Sequence, residues 1–551
     1  MHTDLWPSMP DTRLTRRSAL GLFISSASVI TLAACQASAP TQSSATPPPA
    51  APTTPVAAVG STPDTGRPKQ GGTLRIGIPN DIPNLDPNYS SPYGFDTVWQ
   101  IYDRLTQYDD QLQPQPRLAE SWEVSSDYKQ VKLNLRKGLT FHNGKPFTSD
   151  DVKWTIMRVR DPGVGGGAGL TPQSNWWTGI DTPDKNTIVL KSDQPRPAMF
   201  DFFEYLNIGD QQTLEPQGAQ AKTSTNGLGP FSLQEWAQGD HIGMVKNQSY
   251  WHSGLPYLDG ITFSVLKDVQ GMTAQLEAGA QDLVLNTTTQ DFVRLKGNPS
   301  YVAGTNPISG QYYCVGFNTG NHPFDNKLVR QAINYAINRQ RFTETVLQGI
   351  QQPKSLVWAP ASQAYDEARV NYFGFDLDKA RSLLAQAGVS NLSMELIVSN
   401  AYPGHPEFAQ ILQSDLQTIG VTLSINQTDA AGMLAALNAK PPTYKGMYVF
   451  SSGRSQLYPG TTLSVTAPFA PASNIEGFSD PAYSQLVEQI NAEADATKRK
   501  QELKQVNDLL LDQAFTSAIS SADNNWVSTN HVHGIVNTAH IGLDYSGVWL
   551  G

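Results

Sequence analysis

Between Gln36 and Pro63 the chain carries no charged residue, only Ala, Pro, Ser, Thr, Gln, Gly and Val. Such a segment buries too little apolar surface to offset its ordering entropy, and its prolines favour extended polyproline conformations. It divides the chain into a short N-terminal stretch and a body that has to fold without it. The body opens at Gly71-Gly72-Thr73, where Leu74, Ile76 and Ile78 alternate with polar or small residues as in a first strand. The remaining ~480 residues exceed what one hydrophobic core organises, so two or more lobes are expected.

The N-terminal stretch reads as an address. Thr15-Arg16-Arg17-Ser18-Ala19-Leu20 leads into an uncharged run that ends at Leu32-Ala33-Ala34-Cys35 and is diluted by Ser25, Ser26, Ser28 and Thr31. Basic residues, an apolar run of signal-peptide length and small residues before a cysteine predict a secretory signal rather than a spanning helix. The run resembles a twin-arginine signal ending in a bacterial lipobox. That resemblance implies removal of 1–34 and lipidation of Cys35, with residues 35–70 as a tether. Ala19 stands where the twin-arginine motif has a large apolar residue, so the general secretory route stays open. The expected location is extracytoplasmic, lipid-anchored to a bacterial cell membrane.

Formal net charge is −10. Removing 1–34, where Arg13, Arg16 and Arg17 face Asp4 and Asp11, leaves about −11. An acidic body argues against a nucleic-acid surface, whose footprint is a basic patch. Once Cys35 is spent on lipid, Cys314 is the one cysteine left, so neither an intrachain disulfide nor a cysteine metal site is available. Cys314 lies in the apolar run Tyr312-Tyr313-Cys314-Val315-Gly316-Phe317 and reads as a buried free thiol.

Catalytic signatures are missing. No Gly-x-Ser-x-Gly elbow, His-Glu-x-x-His or dinucleotide glycine fingerprint occurs at a strand-to-helix junction. Gly163 to Gly169 is glycine-rich, but no Gly-Lys-Ser/Thr follows it, and it reads as a mobile loop. His531 and His533 would share one face of a strand, yet no third ligand is signalled nearby. Neither an enzyme nor a cofactor is expected.

Mixed strands and helices fill the body. Val329, Ala332, Ile333, Ala336 and Ile337 share one helical face within Lys327–Arg339. Asp376 caps a helix that stops at Gly388; others run from Pro406 toward Gly420 and from Asp480-Pro481. Val131–Leu135 and Val421–Ile425 alternate as strands. The fold class is α/β.

Several long motifs then carry a family resemblance. Ala119–Val124 (AESWEV) and Leu135–Val152 (LRKGLTFHNGKPFTSDDV) resemble the signature block of the peptide- and nickel-type extracellular solute-binding proteins of ABC importers, family 5. Gly227–Phe231 with Glu235-Trp236 and Asn247–Trp251 is similar to that family's "GTGPF … NPDYW" segment, and Phe317–Arg339 to its central helix. Asp378-Lys379-Ala380 through Ala387-Gly388 matches too. On physical grounds most of these residues are structural: Asn143-Gly144 and Gly229-Pro230 as turns, Asp150-Asp151 as a helix start, and Trp122 and Trp251 as core.

The resemblance implies a two-lobed periplasmic-binding-protein (Venus-flytrap) fold with an extra subdomain in the first lobe. Lobe I would comprise 71–112, 225–275 and 516–551, the subdomain 113–224, and lobe II 276–515. A solute would be enclosed between the lobes and handed to an ABC permease and ATPase by a monomer with no bond made or broken. By family topology Tyr89, Tyr93, Trp176-Trp177, Trp358 and Tyr402 approach the cleft. At most one of the adjacent tryptophans would contact ligand if both lay on a strand, and Trp177 is the expected one.

The solute turns on departures from the family. Free-peptide binders carry an aspartate for the ligand's amino group in a Gly-Trp-x-x-Asp loop; the corresponding stretch here, Tyr448–Pro459, holds no acid. Dipeptide binders carry an arginine for the carboxylate where this chain has Asn400–Pro406. Both ends of a dipeptide clamp are missing, so free dipeptides are disfavoured. Arg454, flanked by Ser452 and Ser455, offers a planar fork for a carboxylate or phosphate. The expected ligand contacts are therefore Tyr89, Trp177, Tyr402, Ser452, Arg454 and Ser455. The leading solute is a peptide or similar medium-sized polar compound; an oligosaccharide, a sugar-phosphate or an opine-like anion stays open, as does a sensory or chaperone receptor on the same scaffold.

Overall fold

The computed structural model describes residues 66–551 apart from 90, 92, 166–168, 220, 401–403 and 454–456. Cys35 and the tether lie outside the described residues. Leu74, Ile76 and Ile78 are fully buried, which makes Thr73–Ile78 the spine of a seven-stranded sheet. Burying each such side chain contributes about 1.5–3 kcal/mol. Thr73–Ile78 pairs in parallel with Gly260–Val265 and Leu283–Leu285. Antiparallel neighbours complete the sheet: His241–Lys246 and Phe231–Ala237 on one side, Asn525–Thr529 and Tyr301–Thr305 on the other.

A second, five-stranded sheet runs in the order 422–428, 393–399, 447–452, 312–317, 516–521. Its first three strands are parallel, and Tyr312–Phe317 is antiparallel to both of its neighbours. A four-stranded antiparallel sheet spans 119–124, 130–135, 187–191 and 179–184. The first and third sheets share one hydrophobic core and the second has its own. The subdomain is thus built on the lobe I core, while lobe II has a core of its own into which Ala198 of the subdomain reaches.

The boundaries expected at 276 and 516 do not follow the sheets. Leu283–Leu285 and Tyr301–Thr305 belong to the lobe I sheet, whereas Thr516–Ser521 belongs to the lobe II sheet. The chain crosses between the sheets at 306–311 and returns at 522–524. These segments lie side by side: the Asn306 amide donates to Asn524 O (3.0 Å) and the Ala522 amide to Gln311 O (3.0 Å).

Local chemistry sets the element ends. Asp376 and Asp480 cap the helices Leu377–Gln386 and Pro481–Ala492, and Gly388 and Gly420 lie at φ +71° and +80° beyond the helices Leu377–Gln386 and His405–Gln417. The helix Ser149–Arg158 is capped by Thr148 in a capping box with Asp151, rather than by Asp150. Gly229-Pro230 is a close approach more than a turn. A Cβ on Gly227 would lie 2.0 Å from Ile101 O, and one on Gly229 2.4 Å from Gln100 O. Trp122 and Trp251 are half-buried; Arg136 covers the Trp251 ring at 4.4 Å. Pro162–Gly165 forms a helical turn where a loop was expected, and 166–168 lie outside the described residues. Among the described residues no helix is long and apolar enough to cross a membrane.

The C-terminal segment is pinned by a buried carboxyl. Asp96 accepts from the Leu543 amide (2.9 Å) and the Tyr545 hydroxyl (3.1 Å), and burial pushes its pKa up to about 7. A carboxyl raised in the folded state binds a proton that the unfolded chain has released between about pH 4 and 7, so its contribution to stability falls as pH rises through that window. Asp96→Asn has no charge to desolvate. Relative to wild type it should gain on the order of 1 kcal/mol per pH unit from pH 4.5 to 7. Thermal midpoints of both proteins across that range check this; a constant difference would mean that Asp96 titrates normally.

Candidate ligand-binding site

In open sheets with parallel strands, ligands sit outside the carboxyl ends of those strands. In lobe I these ends are Ile78, Val265 and Leu285, and the register pairs Leu285 with Trp526 and Thr305 with Asn525, beside the crossing segments. In lobe II they are Ser399, Thr428 and Ser452, and Tyr312, the first residue after the crossing, pairs with both Ser452 and Ser521. Both carboxyl edges therefore meet at the double crossing.

Lobe I contributes the loop after Ile78. Tyr89 lies there half-buried, and Tyr93 is buried with its hydroxyl accepting from Asn286 Nδ2 (3.1 Å). Asn286 holds φ +56°, a left-handed conformation that asparagine tolerates, and its amide donates to Asn525 O (2.7 Å). Lobe II contributes the edge residues Tyr313, His405, Ser451 and Ser452. His405 Nε2 and Ser451 Oγ are 2.8 Å apart, and Tyr313 meets the His405 ring edge-on at 5.5 Å. Burial pushes His405 down to about 3, so the ring is neutral at physiological pH. Ser452 ends its strand half-buried at this edge. Tyr402, Arg454 and Ser455 lie outside the described residues.

The tryptophan expectation needs correction. Trp176-Trp177 follow the helix Leu170–Ser174 in a turn, not on a strand. Trp177 is 1% exposed and stacks on Phe203 at 6.0 Å, so it is core; Trp176 is the half-buried ring of the pair. Trp358 is core as well, its Nε1 donating to Asn507 Oδ1 (2.6 Å). Of the metal reading, His533 stacks on Trp549 at 4.1 Å while His531 faces Asp282 at 3.4 Å.

Sequence reasoning missed the group that joins the lobes. The helix Met199–Tyr205 of the subdomain carries Asp201 and Glu204, both buried within an apolar sequence. Asp201 accepts from the Tyr108 hydroxyl (2.8 Å), and both its oxygens lie 3.1 Å from the Tyr458 amide, just before the helix Pro459–Val465. Leu457 beside it packs into the lobe I core. Burial pushes Asp201 up to about 6 against these hydrogen bonds, and Glu204 up to about 7 against Arg104, 3.5 Å away. Two carboxylates at i, i+3 in MFDFFEY were the available signal, because buried charge demands partners.

Between the subdomain and lobe II lies a groove of about 860 Å³. Pro172, Gln173, Trp176 and Arg196 form one wall; Thr461, Ser464, Glu488 and Asn491 form the other.

The comparisons define the class. Residues 113–474 match the model of the bacterial extracellular solute-binding proteins, family 5 (middle region), and the chain belongs to that family. Among individual relatives, it is 28% identical to the glutathione-binding protein GsiB of Escherichia coli K12 over 391 residues, 69% of this chain and 74% of that one. Its fold superposes with a TM-score of 0.74 on AgaA from A. tumefaciens R10 bound to agropinic acid, at 26% identity over 87% of this chain and 99% of that one. DppA from Helicobacter pylori, bound to the peptide STSA, shares the fold at TM-score 0.74 and 22% identity, over 88% of this chain and 98% of that one. The architecture is the two-lobed α/β binding-protein fold.

Removing the Asp201 contact should loosen the lobes. A charge-assisted hydrogen bond contributes about 1.5–3 kcal/mol. Asp201→Ala is therefore expected to enlarge the ligand-free radius of gyration in small-angle scattering, with Asp201→Asn, which keeps an acceptor for the Tyr458 amide, close to wild type. Identical profiles for wild type and Asp201→Ala would show that the contact does not hold the lobes together.

Proposed function

We propose that the chain is the tethered solute receptor of an ABC importer, capturing a peptide or similar medium-sized polar solute between its lobes. The observation that carries this reading is the meeting of two parallel-strand carboxyl edges at a double crossing, in a chain of this family. Solute bound across both edges favours the closed arrangement by its differential affinity for it. The closed receptor then delivers its cargo to the membrane permease and its ATPase, and no covalent step is involved. Relatives bind glutathione, agropinic acid and the peptide STSA, polar solutes that all carry carboxylates.

The missing amino-group aspartate and carboxylate arginine argue that free dipeptides are poor ligands. Arg454, with Ser452, Ser455, Tyr402 and Tyr89 around the edges, is the proposed anchor for an anionic group. A thermal-shift screen of dipeptides, oligopeptides, oligosaccharides and opine-like acids should give its largest shifts outside the dipeptides. Arg454→Ala should lose most of the shift for an anionic ligand and keep the ligand-free midpoint. A large dipeptide shift, or an unchanged shift in Arg454→Ala, would overturn the corresponding claim.

Lipid on Cys35 would hold the body near its permease, and the uncharged tether up to residue 70 would give it reach. Tethering raises effective concentration without adding a contact. Mass spectrometry of the membrane-extracted protein should find a lipidated N-terminus at Cys35, reached by the twin-arginine or the general secretory route. Cys35→Ser should move the protein out of the membrane fraction; retention there would mean a different anchor.

A further inference from the structure

The subdomain–lobe II groove carries a cation, Arg196, that forms no ion pair among the described residues. Arg196 lies over the Trp176 ring at 5.1 Å, and its Nε is buried with no hydrogen-bond partner among the described residues. The carboxylate acting on it electrostatically is Asp193, which accepts from Thr178 Oγ1 at 3.1 Å. Burial pushes the guanidinium below its ordinary pKa, the mark of a cation short of partners. A guanidinium has five N–H donors in a planar fork that fits a carboxylate, and leaving the Nε donor buried and unmade is costly.

The rest of the groove suits a peptide chain. Gln173, Ser464 and Asn491 offer amide and hydroxyl groups around the apolar faces of Trp176 and Pro172, while the buried Thr461 hydroxyl turns to Asp201. At about 860 Å³ the groove has the size of a small-ligand pocket and room for several residues. Asn491 Nδ2 already donates to Ser464 Oγ (2.8 Å) and Val487 O (3.0 Å), which fixes that wall. The opposite charge sits on the exposed Glu488, across the groove, with no ion pair to Arg196.

We infer that this groove is a second binding site, with Arg196 on Trp176 taking the carboxylate end of an extended peptide-type solute. The inference rests on the receptor reading above and places the contact on the subdomain wall of the groove.

A local readout tests it. Full-length protein labelled with 5-fluorotryptophan, its Trp176 signal assigned through Trp176→Phe, is titrated with an N-acetylated tetrapeptide ending in a free carboxylate and with its carboxamide. The carboxylate form should shift the Trp176 fluorine resonance at a concentration at least about tenfold lower than the carboxamide, the scale of one charge-assisted contact. Arg196→Gln should erase that preference and Arg454→Ala should keep it. Glu488→Gln should strengthen carboxylate binding by removing a like charge from the facing wall. A Trp176 signal that stays still, one that responds equally in Arg196→Gln, or one lost in Arg454→Ala overturns the groove site. So does weakened binding in Glu488→Gln, which would make Glu488 the partner of Arg196. The receptor reading fails by a different result, the absence of a stabilising solute in the thermal-shift screen.

Discussion

The body depends on two short segments, 306–311 and 522–524, that carry the chain from one sheet to the other and back. Their backbones bond to each other, so the peptide groups at the crossing are satisfied laterally without belonging to either sheet. Side chains complete the junction. Asn306 Nδ2 donates to Thr538 O and His540 O (both 3.1 Å), and Gln351 bonds both the amide (3.1 Å) and the carbonyl (3.0 Å) of Asp523. A paired crossing of this kind can twist while its own bonds survive. It also fixes which strand ends face each other, and the cleft follows from that geometry.

What could be read before folding was local. Helix caps at Asp376 and Asp480, stop glycines at 388 and 420 and the alternation of Leu74, Ile76 and Ile78 are set by near neighbours, and each stands where the sequence puts it. Sheet membership is not local. Asn525–Thr529 inserts between strands more than two hundred residues earlier in the chain, and no periodicity announces such a partner. That is why the lobe boundaries moved to the crossings. Trp177 was misplaced for a related reason: the period-2 argument holds for a strand, and the pair sits in a turn where Phe203 takes one ring.

Buried carboxyls show the same division between pattern and partner. Asp96, Asp201, Glu204 and Asp523 are all raised by desolvation, and each sits at a junction: C-terminal segment to lobe I, subdomain to lobe II, subdomain to lobe I, crossing to lobe II. In an apolar helix such residues cost free energy unless donors converge on them. Their placement ties pieces of the fold to one another at defined points, which a uniformly apolar contact would leave free to slide. Asp201 is the case that ties the subdomain directly to lobe II, because its donor, the Tyr458 amide, immediately precedes the helix Pro459–Val465.

The shared core of lobe I and subdomain gives that contact a mechanical meaning. A rotation about the crossing carries the subdomain with lobe I, so the Asp201–Tyr458 bond and the groove walled by Trp176 and Asn491 have to change together. The helix Pro459–Val465 links the two, since Tyr458 precedes it while Thr461 and Ser464 line the groove. On the proposed readings, a ligand that draws Arg196 toward lobe II would pull in the same sense as a ligand held between the strand edges. Occupation of either place would then favour the arrangement in which Asp201 reaches the Tyr458 amide. A solute long enough to reach both would gain twice from one closure, whereas a dipeptide, confined to one place, would gain once.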